Sequence, residues 1–252
     1  MPPRKRKKNE KEQLLLFVFF WLAVISVTIG LYTRTYLMYS IARVFVAPIL
    51  LLRLVRFSFF KKVSLFIYIS FFFTILADLF TLYGSYPIAH IGLSFYTINY
   101  LSISCYLHHL YVKKNGNNVN RLYILMVIIG ALLDILWLKA SHLRYPINIA
   151  QVMLHALSII YLSVGAFTVK NKSYSKKDST LFPIVAVVII FTNIVYLIDV
   201  LYCHRKYAIL DSIVGFGNGL YLFLLTRSVL RMTRNIANSD EARDSEIFPR
   251  MD

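Results

Sequence analysis

The sequence predicts an all-α, polytopic integral membrane bundle of eight transmembrane helices, with both chain ends in the cytoplasm. Three observations carry this reading. Of 252 residues, 58% are hydrophobic and the mean hydropathy is +0.61, above the roughly half-apolar make-up of soluble domains. The apolar residues fall in blocks of about twenty, the length a helix needs to cross a hydrocarbon core about 30 Å thick. Lys and Arg cluster in alternate gaps between those blocks, as the positive-inside rule requires.

The spans are placed at about 14–33, 36–56, 63–83, 87–111, 122–139, 146–169, 181–202 and 208–230. The first is a retained span, because the run from Leu14 to Tyr32 is too long for a signal-peptide core and has no small-residue cleavage pattern. Before it, residues 1–13 form a basic cytoplasmic N-terminus carrying Arg4-Lys5-Arg6-Lys7-Lys8, which orients the first helix. The even gaps hold Arg53, Arg56, Lys61 and Lys62, then Lys113, Lys114 and Arg121, then Lys170, Lys172, Lys176 and Lys177. Arg227, Arg231 and Arg234 stand at the end of the last block. The odd gaps are short and poorer in charge: Thr33-Arg34-Thr35, Gly84-Ser85, 139–144 and His204-Arg205-Lys206. The alternation also tests the count, since one span more or fewer would break it. Residues 14–230 form the membrane domain, and 231–252 read as a polar, disordered cytoplasmic tail. A plasma membrane is the implied location, a bacterial inner membrane by the simplicity of the topology.

A short repeat relates the odd hairpins. Asp78 precedes Tyr86-Pro87-Ile88 by eight residues, and Asp199 precedes Tyr207-Ala208-Ile209 by the same spacing. Asp134 precedes Tyr145-Pro146-Ile147 after a longer loop. The third and seventh spans then become equivalents in a two-fold repeat of four helices, as internal repeats in membrane folds allow. Chance is a rival explanation, because Tyr is enriched at membrane interfaces anyway.

The net charge of +16 sits between the apolar blocks rather than on a folded basic surface, so the reading is membrane topology and no nucleic acid. Cys105 and Cys203 lie in or at the ends of spans, without a metal-ligand spacing. There is no Gly-rich phosphate loop, no H-E-x-x-H, no G-x-S-x-G and no mid-span Lys for a Schiff base. No metal and no cofactor are expected.

Ionisable side chains inside spans are costly, roughly 2.5–3.5 kcal/mol each on insertion scales, and point to function or to internal pairing. Asp78 lies sixteen residues beyond Lys62, about 24 Å from the inner surface at 1.5 Å per residue. Asp134, thirteen beyond Arg121, is about 20 Å in by the same rule. Asp199 lies near the outer end of the seventh span, Arg43 lies about 10 Å from the outer surface, and His90 and Asp211 sit one turn into theirs. Asn99, His155 and Asn193 are near the midplane. These groups gather in the outer half, either as one outward-open polar cavity or as separate groups reaching headgroup water and packing helices. Substrate contact is assigned to Arg43, His90, Asn99, Asp134, His155 and Asn193.

Four features together resemble the YhhN family, the lysoplasmalogenase-like eight-span membrane proteins. One is the span count. The others are Thr74-Ile75-Leu76-Ala77-Asp78-Leu79-Phe80 followed by Ile91-Gly92-Leu93-Ser94-Phe95, Val195-Tyr196-Leu197-Ile198-Asp199, and Ala47-Pro48-Ile49-Leu50-Leu51. These are similar to the family's Gly-Asp motif with its Gly-Leu-x-x-Phe stretch, its Ser-Asp motif and its Lys-Pro motif. Ala77, Ile198 and Ala47 depart from the family's Gly, Ser and Lys, and the family's His and Tyr on the fourth span are matched only loosely, by Asn99 and Tyr100 or by Ser104 and Tyr106.

The resemblance implies hydrolysis of the vinyl-ether bond of a lysoplasmalogen, with membrane lipid or lysolipid as the partner. Such a reaction needs an acid to protonate carbon and a base to deliver water. Two carboxylates in unlike surroundings suit those roles, and the resemblance assigns them to Asp78 and Asp199. Depth alone points to Asp78 as the acid, because ionising a carboxyl costs more further from water. A non-catalytic membrane scaffold or sensor and a small-solute transporter are the alternative classes.

Overall fold

A computed structural model describes residues 3–57, 63–82, 86–115, 149–171, 181–199, 203 and 206–247. All described secondary structure is helical. Seven helices follow in order: α1 (Pro3–Tyr32), α2 (Tyr36–Phe57), α3 (Leu65–Leu82), α4 (Tyr86–Asn115), α5 (Ile149–Asn171), α6 (Leu181–Ile198) and α7 (Ala208–Ile247). They correspond to the first four and last three predicted spans. The predicted fifth span, 122–139, lies outside the described residues.

Three stretches are long and apolar enough to cross a membrane: Lys11–Tyr32, Tyr36–Arg56 and Ala208–Thr233. Three shorter apolar stretches, Leu65–Phe80, Leu154–Val169 and Leu181–Tyr196, accompany them. Large apolar side chains stand exposed around the bundle, among them Leu22, Leu37, Phe45, Phe72, Phe191 and Ile209. So much outward apolar surface is compatible with an integral membrane protein and unlike a soluble monomer.

Two termini differ from expectation. Helix α1 begins at Pro3, so the basic segment placed in a separate N-terminal region is continuous with the first span. Helix α7 runs on to Ile247 where the sequence reads as an irregular tail. No Pro or Gly occurs between Gly219 and Pro249, so nothing in the backbone forces α7 to stop where its apolar residues end.

Each described helix packs on the next in chain order, and α7 packs back on α1 and α2. The result is a closed ring in which α4 and α5 are direct neighbours. Its core holds Phe20, Leu50, Leu54, Ile67, Phe71, Ile103, Leu162, Ile189 and Leu225. Ring closure rests on small residues. A Cβ on Gly219 would come within 2.6 Å of Val24 on α1, so only a glycine allows this approach. One turn along, Phe223 lies among Phe17, Phe20 and Trp21, with ring centroids 5.4–5.8 Å away.

The α1–α2 connection shows how a three-residue loop reverses the chain. The Thr35 N–H donates to the Gly30 carbonyl at 2.8 Å and the Arg34 N–H to that of Leu31 at 3.3 Å. Arg34 has φ 55°. This is a Schellman end, with Arg34 where glycine is usual. The Arg34 guanidinium donates to the Lys206 carbonyl at 2.8 Å, which ties this loop to the start of α7. At the opposite end of the bundle Arg56 of α2 pairs with Glu12 of α1 at 2.9 Å.

Seven buried hydroxyls are satisfied within their own helices. Thr74, Thr97, Ser104, Thr168, Thr192, Thr226 and Thr233 each donate to the carbonyl four residues back, at 2.6–3.0 Å. In an apolar surround this back-bonding removes the need for water.

Candidate functional site

The interior of the ring is polar at one level, and α2, α3 and α4 build its most charged part. Tyr39 and Arg43 lie one turn apart on α2 and so share a face. The Arg43 Nε donates to Asp78 Oδ1 of α3 at 2.7 Å. Its Nη2 donates to the Tyr96 hydroxyl of α4 at 2.6 Å, and its Nη1 to the Tyr39 hydroxyl. The Tyr96 hydroxyl in turn donates to the same Asp78 Oδ1. The guanidinium carbon also stands 5.4 Å from the centre of the Tyr39 ring, within cation–π range. The side chains of Arg43 and Asp78 are only 18% and 8% exposed. The pair thus neutralises two charges that would each be costly alone in an apolar surround.

Two donors converge on Asp78 Oδ1, so this carboxyl is placed as an acceptor. Depth alone pointed to Asp78 as the proton donor; in the structure its Oδ1 receives hydrogen bonds from Arg43 and Tyr96.

Consecutive turns of α4 extend the polar interior to the other helices. The Thr97 hydroxyl donates to the Leu93 carbonyl and meets His155 Nδ1 of α5, both at 3.0 Å. A hydroxyl has one hydrogen, so Thr97 bonds His155 Nδ1 either as donor or, with that hydrogen on Leu93, as acceptor. Asn99 accepts from the Ser70 hydroxyl of α3 at 2.5 Å and donates to the Tyr221 hydroxyl of α7 at 3.2 Å. The Tyr100 ring packs on His155 and Tyr221, with centroids 5.4 and 6.2 Å away. Asn193 of α6 lies in polar contact with Tyr100 and His155, while its amide nitrogen donates to the Ile189 carbonyl at 2.8 Å.

Five of the expected site residues, Arg43, Asp78, Asn99, His155 and Asn193, are therefore brought to the ring interior. Asp199 is buried in a π-type turn directly after α6. His90 belongs to α4, but its side chain lies outside the described residues, as does the whole of Asp134. Among the described residues no three His, Cys, Asp or Glu side chains converge to hold a metal ion.

Sequence reasoning did not single out Tyr39, Tyr96, Thr97, Ser70 or Tyr221. Only Tyr39 left a usable signal, its position one helical turn before Arg43. In comparison with known proteins, no family model, no curated protein and no solved structure matches this chain.

Proposed function

We propose that this chain is a diverged YhhN-like membrane hydrolase that cleaves the vinyl-ether bond of a lysolipid, with Asp78 and Asp199 as its working carboxyl groups. The observation that carries the reading is the Arg43–Asp78–Tyr96 cluster, a carboxylate held by two donors inside a helical ring. The same reading keeps eight spans, the two-fold repeat, cytoplasmic termini and a bacterial inner membrane.

The chemistry divides the two carboxyl groups by surroundings. Asp199, as the acid, gives its proton to the vinyl carbon remote from oxygen, which leaves an oxocarbenium ion. Water adds to the cationic carbon while a base takes its proton. The hemiacetal then collapses to a fatty aldehyde and the glycerol hydroxyl of the headgroup fragment. Asp78 suits the base, because Arg43 and Tyr96 hold it as an acceptor near the developing positive charge. His155 Nε2, Asn193 and Tyr100 offer polar groups for positioning the substrate.

Purified protein in detergent should release fatty aldehyde from lysoplasmalogen. Asp78→Asn and Asp199→Asn should each lower turnover by about 10²-fold or more. A folded Asn variant with full turnover at either position removes that residue from the mechanism.

One observation favours a second reading, a non-catalytic clasp between helices. All three nitrogens of the Arg43 guanidinium have partners within the protein. On that reading folded wild-type protein releases no aldehyde, and substitutions at Asp78 act only on stability.

A further inference from the structure

The two helices that close the ring both run past their apolar stretches, and they do so on the same face. Helices α1 and α7 are antiparallel. The Arg34 guanidinium ties the end of α1 to the Lys206 carbonyl just before α7. Further along, Val24 faces Gly219, and the Phe20 and Phe223 rings stack with centroids 5.7 Å apart. The apolar stretches are Lys11–Tyr32 and Ala208–Thr233. Helix α1 reaches back to Pro3, eight residues or about 12 Å outside its stretch. Helix α7 reaches on to Ile247, fourteen residues or about 21 Å outside its own.

These extensions carry opposite charge. Residues 3–10 hold the basic run Arg4 to Lys8 and one acid, Glu10. Residues 234–247 hold the acids Asp240, Glu241, Asp244 and Glu246 against Arg234 and Arg243. The helix register brings unlike signs level. From the Val24–Gly219 contact to the Phe20–Phe223 contact, four residues back along α1 match four forward along α7. Continued along the same two helices, this register sets Glu10 level with Thr233, next to Arg234. It sets Arg4 level with Ser239, next to Asp240. A basic run at the edge of a span ordinarily reads as a contact with anionic lipid. Here the run is helical and continuous with the span, so along the helix axis Arg4 stands about 10 Å beyond Lys11. That is about one Debye length at 0.1 M salt, far enough to weaken the pull of a charged surface.

We propose that the acidic end of α7 is the partner of the basic run of α1, the two extensions forming an antiparallel two-helix stalk on one face of the membrane domain. The stalk holds the basic run off the lipid surface. The partner follows from charge and register together: the extension that leaves the bundle beside the basic run is the one that carries the acids. A single exposed ion pair is worth little, so the stalk rests on several pairs of unlike charge along two helices already joined by their apolar parts. It also gives the polar end of α7 a reason to stay helical beyond the apolar stretch. The stalk goes beyond the hydrolase reading and requires only that α1 and α7 cross a bilayer, as their length and hydropathy allow.

The test is a distance measured by pulsed dipolar EPR on the full chain in phosphatidylcholine nanodiscs. Nitroxide labels are placed at Asn9→Cys and Asn238→Cys, on a background with Cys105 and Cys203 replaced by Ser. Both labelled positions are uncharged, so the charge pattern stays whole. One short, narrow distance should appear, as for helices whose axes pack about 8–10 Å apart. Asp240→Lys with Glu241→Lys puts like charges level and should lengthen the mean distance by about one such helix spacing or more. Adding Arg4→Glu with Lys5→Glu restores unlike signs and should bring the short distance back. A distance that charge reversal leaves unchanged overturns the proposal, and so does a swap that fails to restore it. In phosphatidylglycerol nanodiscs the short distance should persist. A distance that lengthens there makes the anionic surface the partner of the basic run and overturns the stalk. Aldehyde release plays no part in these readouts, so failure here and failure of the hydrolase reading are separate events.

Discussion

The Arg43–Asp78 pair separates a structural charge from a working one. Removing one partner of a buried pair leaves an uncompensated charge and costs on the order of 3–5 kcal/mol, whereas replacing both with apolar residues is often neutral. Arg43→Ala alone should therefore lower the melting temperature of the purified protein markedly. Arg43→Met combined with Asp78→Leu should recover most of the loss in the same thermal melt. If the pair is only a clasp, the double variant restores everything the protein does. If Asp78 carries chemistry, the double variant is folded and inactive. A double variant no more stable than either single one would show that the pair is not coupled in the way the 2.7 Å contact implies. Arg43 and Asp78 were legible in the sequence because charge inside an apolar block is conspicuous. Their partners were not. Tyr39, Tyr96 and Tyr221 are three of 18 tyrosines, a residue type that membrane interfaces collect for other reasons. Only the geometry separates the tyrosines that bond Arg43 and Asn99 from the rest.

At the scale of the element, block length located helices well and helix ends poorly. The span placed at 36–56 is helix Tyr36–Phe57, and the one placed at 181–202 is helical over Leu181–Ile198. The misplaced ends are those where composition changes and conformation does not. Hydropathy falls after Leu230, yet α7 continues to Ile247, since polar residues are ordinary helix formers in water. Helix approach depends on features that periodicity does not show. Gly30 faces the backbone of α2, and a Cβ there would lie 2.7 Å from the Tyr39 nitrogen. A backbone atom cannot step aside as a side chain can. Gly30→Ala should therefore force α1 and α2 apart and cost about 1–3 kcal/mol, the usual range for overpacking. Circular dichroism melts in detergent would register it as a lower midpoint with unchanged helix content. An unshifted midpoint would mean that the two helices do not approach as closely at Gly30 as described. Tyr39 is also the neighbour of Arg43 on its face of α2, so the same substitution should disturb the charged cluster one turn away.

For the molecule as a whole, ring closure decides what the polar interior can be. Sequence alone gave an ordered series of spans and a common depth for the polar groups, but depth leaves open whether they face one another or face lipid. The packing of α7 on α1 and α2 answers this for the described helices, because it encloses Arg43, Asn99, His155 and Tyr221 in one interior. An open row of helices would leave the same residues on a lipid-facing sheet of helices, with no shared site. The contact between Val24 and Gly219 makes this distinction measurable. A Cβ built on Gly219 lies 3.3 Å from the Val24 Cβ, close to the Cβ separation of about 3.5–4.5 Å found in disulfides. Val24→Cys with Gly219→Cys, on a background with Cys105 and Cys203 replaced by Ser, should form an intramolecular disulfide under mild oxidation. Peptide mapping by mass spectrometry would identify a bridge between the first and last helices, which are 195 residues apart in sequence. The bridged protein should melt at a higher temperature than its reduced form, since the bond closes a long loop in the unfolded chain. A folded double variant that forms only intermolecular bridges would mean that α1 and α7 meet between copies of the chain. The interior polar network would then need a second subunit to complete it.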